Sequence, residues 1–198
     1  MSGLNRISTI EVESANGTRE ISLYTRHLMN RRVFLTGEIN DESAVEIVSQ
    51  LMFLQDDSDG EISLYINSPG GSVNAGLMIM DVLSGMKVPV KMYCIGMAAS
   101  MAAVILASGK KGSRFILPHS EVMIHEPLLN SGAGGSATSI KRKAESILET
   151  KDILNEILSK HTGRTVEEID SATSYDNYMN ATECVEFGIC DGIVQSVF

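Results

Sequence analysis

The chain has 198 residues, of which 43% are hydrophobic and 21% charged, with a net charge of −9. That length suits one domain burying roughly 70% of its unfolded surface, and the whole of 1–198 is read as one. No apolar run reaches the roughly 18 residues of a membrane span, and the basic clusters Lys110-Lys111 and Lys141-Arg142-Lys143 are too short for a nucleic-acid stripe, so neither membrane nor nucleic acid is expected as a partner.

The amino-terminal arm, 1–20, reads as irregular, and its first residues, polar again by Ser8, carry no secretory core, so a cytoplasmic location is expected. Val33-Phe34-Leu35-Thr36-Gly37 reads as a buried strand, and Asn40-Asp41 cap a helix running through Val45, Val48, Leu51 and Met52. Ile62 to Ile66 reads as a second strand, Ser68-Pro69-Gly70-Gly71 as a tight turn, and Val73, Leu77, Met80 and Leu83 as a helical stripe ending near Gly85. Val90 to Ile95 is a third strand broken by Gly96, followed by a helix of small residues from Ala98 to Ala107. Short strands at Phe115-Ile116-Leu117 and Val122-Met123-Ile124 complete an alternation that argues for an α/β core with largely parallel pairing. The glycine-rich stretch from Asn130 to Ser136 reads as a loop. Beyond it, Ile140, Ala144, Ile147, Leu148, Lys151, Leu154 and Leu158 keep helical spacing until Gly163. So long a helix is hard to bury in one small domain, and part of its stripe is expected to pack on another subunit. Thr165-x-x-Glu168 and Asn180-x-x-Glu183 are capping boxes opening two short helices, and Gly192 to Val197 reads as a closing strand.

Cys94, Cys184 and Cys190 are odd in number and lack C-x-x-C spacing, which favours reduced thiols over a disulfide framework or a zinc knuckle. The one His-Glu pair, His125-Glu126, is followed by Pro127 and has no second histidine in helical register, so no metal is implied. Ser68-Pro69-Gly70-Gly71-Ser72 lacks the Lys-Ser/Thr of a phosphate loop, and Gly132 to Ala137 does not follow a strand as a dinucleotide fingerprint does. No cofactor is expected.

Acyl transfer needs a nucleophilic oxygen, a base, a group that orients the base, and donors for the oxyanion. Ser100 sits between a strand, a glycine break and a helix start, where free N–H groups favour negative charge; the alternative is a serine that merely caps. His125 ends an apolar strand ahead of the rigid Pro127, against the alternative of a structural histidine. For the orienting carboxylate nine aspartates compete, and spacing does not choose among them. Asp176, bracketed by Tyr175 and Tyr178, is a candidate expected to be partly buried.

Four segments in register then carry a resemblance. Tyr65-Ile66-Asn67-Ser68-Pro69-Gly70-Gly71-Ser72, Gly96-Met97-Ala98-Ala99-Ser100-Met101, Leu117-Pro118-His119-Ser120 with Met123-Ile124-His125, and Asp176 followed by Glu186-Phe187-Gly188 and Asp191 resemble the proteolytic subunits of the Clp protease (ClpP) family, from Val33 to the carboxyl terminus. The resemblance implies a crotonase-like α/β fold of repeated β-β-α units in a compact head, with 128–162 as a protruding long-helix handle and 1–20 as an axial arm. It implies Ser100 as nucleophile, His125 as base, Asp176 as orienting carboxylate, and the N–H groups of Gly71 and Met101 as oxyanion hole. Substrate would lie extended against Gly70, Gly71, Ser72 and Val73 on one side and Leu128 on the other. It also implies a self-compartmentalising serine endopeptidase of two stacked heptameric rings. Unfolded polypeptides would be fed to it by an AAA+ unfoldase such as ClpX, ClpA or ClpC, which uses the ATP.

The chain departs from the family pattern at Glu126, where Gln is common, and in a longer glycine-rich loop. It departs again at Ser174-Tyr175, where many members carry an acid and an arginine, and at Ile7-Ser8-Thr9, where an Ile-Pro pair is usual. Two other readings stand beside the peptidase: a regulatory or structural ring subunit active only beside a paralogue, and a crotonase-like acyl-CoA enzyme.

Overall fold

The computed structural model describes residues 9–14, 17–129 and 134–197. Asn130 to Ala133 of the glycine-rich segment and Ile7-Ser8 lie outside the described residues. The arm read as irregular carries an antiparallel pair, β1 (Thr9–Ser14) and β2 (Gly17–Ser22), leading into α1 (Leu23–Met29).

Three strand-helix units follow: β3 (Arg32–Ile39) with α2 (Asp41–Asp57), β4 (Ile62–Gly71) with α3 (Val73–Gly85), and β5 (Val90–Ala99) with α4 (Met101–Ala107). Then come β6 (Arg114–Ile116), β7 (Glu121–Ile124), α5 (Ala137–Thr162), α6 (Val166–Thr173), β8 (Asn177–Asn180), α7 (Ala181–Phe187) and β9 (Gly192–Ile193). The main sheet runs β3-β4-β5-β6-β9 in parallel, as an α/β fold with consecutive crossovers requires. β7 continues beside the far end of β5, and β8 pairs with β7 in the antiparallel sense.

Alternation sorts the strand residues. Val33, Leu35, Ile62, Leu64 and Ile66 are buried under the helices. Phe34, Tyr65, Tyr93 and Phe115, aligned by the strand register, stack across the opposite face at centroid spacings of 5.0, 5.3 and 5.5 Å.

Several boundaries move. The segment read as a tight turn, Ser68-Pro69-Gly70-Gly71, is the end of β4, paired with Glu38 and Ile39 of β3, and Ser72 is the N-cap of α3. β5 likewise runs through Gly96 to Ala99, shortening the helix that follows. In both places neighbouring strands hold residues that local propensity assigns elsewhere. The buried stripe of α2 is Ala44, Ile47, Leu51 and Leu54, while Val45 and Met52 face outwards. The closing strand is only Gly192–Ile193. In α5 only Leu154, Asn155 and Leu158 are buried, and the amino-terminal part of the stripe, including Ile140 and Leu148, is exposed. All three capping predictions hold: Asn40, Thr165 and Asn180 each cap a helix through a reciprocal box.

Candidate active site

Ser100 stands where β5 gives way to α4. Its backbone adopts φ 54°, ψ −125°, a region that residues with a Cβ rarely visit. Its N–H donates to the Met123 carbonyl at 2.8 Å, and its own carbonyl accepts from Ala103 and Val104. The hydroxyl makes no cap hydrogen bond, so the reading of Ser100 as a simple helix cap fails. All seven residues of α4 are buried, which anchors the turn from behind.

His125 follows β7 directly, with its side chain 14% exposed. The antiparallel register of β7 with β8 puts Ile124 opposite Asn177, so the next residue along β7 and the preceding one on β8, His125 and Asp176, are brought side by side. The structure therefore brings Ser100, His125 and Asp176 into one line. His125 Nε2 is 2.8 Å from Ser100 Oγ, and His125 Nδ1 is 3.1 Å from Asp176 Oδ1. Such a line can take a proton from a hydroxyl and stabilise the imidazolium that results. Asp176 departs from expectation in its surroundings: its side chain is 64% exposed and Tyr175 and Tyr178 are exposed too, because the segment rides on the outer strand β8.

The glycines of β4 come close to this serine. A Cβ on Gly70, whose φ is +91°, would fall 2.8 Å from Ser100 Cβ and 2.9 Å from Met101 N, and one on Gly71 would fall 2.2 Å from the Ile39 carbonyl oxygen. Only glycine leaves this space open. Met101 is the first helical residue of α4, and its N–H has no intrahelical acceptor. A cleft opens beside Ser100, with Gly71, Val73, Met101, His125 and Leu128 in its walls. Its interior is lined by Val104, Met123, Leu154 and Leu158, with Asn155 and Thr173 as polar groups. Beyond Ser68, β4 has no pairing with β5 among the described residues; Gly70 is buried with its N–H donated to Ser68 Oγ at 3.1 Å, and Pro69, Gly71 and Val73 line the cleft.

Sequence reasoning passes over Asn155, Thr173 and Asp170, and singles out Glu126 only as a departure from the family pattern. Asn155 Nδ2 donates to Asp170 Oδ1 at 3.1 Å, and Thr173 Oγ1 donates to the Ile169 carbonyl at 2.9 Å. Lys151 stands 3.1 Å from Glu126 and 2.8 Å from Asp170. The signal was a lysine inside the apolar stripe of α5. The three cysteines are buried, and among the described residues no cluster of histidine, cysteine and carboxylate side chains is arranged to hold a metal.

A family model described as Clp protease matches residues 15–197. A protein of Ligilactobacillus salivarius (strain UCC118), described as ATP-dependent Clp protease proteolytic subunit, is 44% identical over 194 residues, covering 98% of this chain and 98% of the relative. Likeness of this degree along nearly the whole of both proteins goes beyond a shared fold: the chain belongs to the Clp protease family, and it is a serine-type peptidase.

Proposed function

We propose that Ser100, His125 and Asp176 carry the hydrolysis, and the observation that bears most weight is the unbroken hydroxyl-imidazole-carboxylate line at 2.8 and 3.1 Å. With Nδ1–H donated to Asp176, Nε2 accepts the Ser100 proton as Oγ attacks the scissile carbonyl. The negative charge developing on the carbonyl oxygen falls to the N–H groups of Gly71 and Met101, next to the space that Gly70 keeps clear. His125 then hands the proton to the departing amine, and water, deprotonated by the same imidazole, releases the acyl group from Ser100. These steps are complete with the chain's own groups and call on no cofactor.

The segment Gly70, Gly71, Ser72 and Val73, from which Gly71 and Val73 line the cleft together with Leu128, suits an extended polypeptide held by main-chain hydrogen bonds, and such binding tolerates many sequences. Unfolded chains are therefore the substrate class. Exposed Val45, Met52 and Phe53 on α2, and Leu148 and Ile153 on α5, support assembly with further copies; the resemblance to the Clp protease family supplies its form, two stacked heptameric rings enclosing the sites. The relative's description as ATP-dependent supports an AAA+ unfoldase as the partner that uses ATP. No described helix is long and apolar enough to cross a membrane, which is compatible with work in the cytoplasm.

The test is peptide turnover by Ser100→Ala together with fluorophosphonate labelling and native mass measurement. Turnover should fall by about 10³-fold or more, the scale of losing one member of such a triad, and the label should map to Ser100 in a ring-sized particle. Unchanged turnover refutes the assignment.

A further inference from the structure

Lys151 occupies the core-facing side of α5, one turn before Leu154 and Asn155. Its ammonium bridges two carboxylates on different segments, Glu126 at 3.1 Å and Asp170 at 2.8 Å; the lysine side chain is 21% exposed and the two carboxylates 44% and 53%. Glu126 is the residue after His125, and Asp170 lies one turn ahead of Thr173, from which the chain runs to Asp176. The two segments also meet directly, since the Glu126 N–H donates to the Thr173 carbonyl at 2.7 Å. Asn155 joins the cluster from α5, donating to Asp170 at 3.1 Å beside Thr173.

The His125–Asp176 contact needs support of this kind. Asp176 is 64% exposed, so its contact with His125 is open to water on one side. The relative placement of imidazole and carboxylate then falls to the backbone on either side of them. Both flanking anchors, Glu126 and Thr173, belong to the cluster of contacts centred on Lys151 and Asn155. Lys151 supplies the positive charge that Glu126 and Asp170 share.

We infer that Lys151 is a positioning residue for the hydrolysis: by tying the segments that carry His125 and Asp176 to the base of α5, it couples that helix to the alignment of the imidazole. The inference rests on the assignment of Ser100, His125 and Asp176 as the catalytic groups.

Lys151→Met, Lys151→Arg and Glu126→Ala are compared with the wild-type particle on a short fluorogenic peptide over a range of concentrations, with native mass recorded for each. Lys151→Met should keep its particle mass and KM while kcat drops about tenfold or more, the consequence of a small misplacement of a catalytic group. Lys151→Arg, which keeps a cation in reach of both carboxylates, should recover most of that loss. Glu126→Ala leaves the Lys151–Asp170 contact between α5 and α6 in place and should still lower kcat by about threefold or more. Wild-type kcat in Lys151→Met or Glu126→Ala, a loss confined to KM, or an arginine variant no better than methionine overturns the inference. If Lys151→Met does not assemble, Glu126→Ala decides by the same criterion. A wild-type particle that neither cleaves the peptide nor takes the fluorophosphonate at Ser100 refutes the underlying assignment instead.

Discussion

One methyl group added at Gly70 separates the chemistry of the site from its architecture. The new Cβ would lie 2.6 Å from the Ala99 carbonyl oxygen, 2.8 Å from Ser100 Cβ and 2.9 Å from Met101 N, and the first and last of these neighbours are backbone. Two losses follow. A side chain forced to φ +91° costs about 1–3 kcal/mol of stability. The methyl also fills the space in front of the Met101 amide, and removal of one oxyanion donor costs about 10²–10³ in kcat, or ~3–4 kcal/mol. Gly70→Ala is therefore expected to lower kcat by about 10²-fold or more with KM much less affected, since the charge these donors meet exists only in the transition state. Gly37→Ala is the control. Its φ is +76° but nothing lies within 4 Å of the added Cβ, so it should lose only about 1–2 kcal/mol of stability and keep its kcat. Saturation kinetics on a peptide and denaturant melts measure both quantities. A Gly70→Ala particle turning over within about threefold of wild type, at a stability loss equal to that of Gly37→Ala, would refute the placement of the oxyanion beside Met101.

At Asp191, burial pushes the carboxyl up, but the Arg114 guanidinium and the N–H groups of Arg114 and Gly112 outweigh it and hold the group below its ordinary range. Its stabilising contribution is therefore complete above pH ~4 and is lost as pH falls through the depressed value. Asp191→Asn, which strands an Arg114 only 2% exposed, should cost about 3 kcal/mol at pH 7 and flatten the stability curve below pH ~4; parallel acid curves for the two proteins would contradict this. The Cys94 thiol is pushed up to about 12, first by burial and then by the neighbouring Cys184, so the thiolate that reacts with alkylating agents is scarce near neutrality. Cys94, Cys184 and Cys190 should all resist alkylation in the folded particle and all react after denaturation, as intact-mass measurement would register; full labelling of the native protein would refute it.

What was legible in the sequence was mostly local. Asn40, Thr165 and Asn180 announce their helices because a capping box is complete within four residues, and α5 ends where Gly163 takes up the left-handed conformation. The polar arm hid β1 and β2 although Ile10 and Val12 alternate, since a two-stranded ribbon buries too little to leave a strong apolar pattern. The α2 stripe was displaced because Val45 and Met52 are apolar yet outward, and apolarity by itself does not say which face meets the core. Gly70 and Gly71 belong to a strand only because β3 lies beside them. The choice of Asp176 among the aspartates depended on resemblance, because what sets it beside His125 is the pairing of β7 with β8 across more than fifty residues of chain.

The turn at Ser100 is strained. Its φ 54°, ψ −125° conformation costs a residue with a Cβ about 1–3 kcal/mol, and that cost belongs to the backbone, whatever the side chain does. Ser100→Ala removes the nucleophile and keeps the Cβ, so the strain stays. Ser100→Gly removes both, relieving the strain at the expense of about 0.4–1 kcal/mol through a more disordered unfolded chain. The glycine variant should thus be more stable than the alanine variant by about 1 kcal/mol, although both are inactive. The surroundings resist any relaxation that would blur this difference. The Ser100 N–H is bound to Met123, Ala99 is in register with Met123 of β7, and the whole of α4 is buried behind the turn. Denaturant melts of the two variants decide the matter. A glycine variant no more stable than the alanine one would mean that the turn holds no strain, and that presenting the hydroxyl to His125 comes at no cost to the fold.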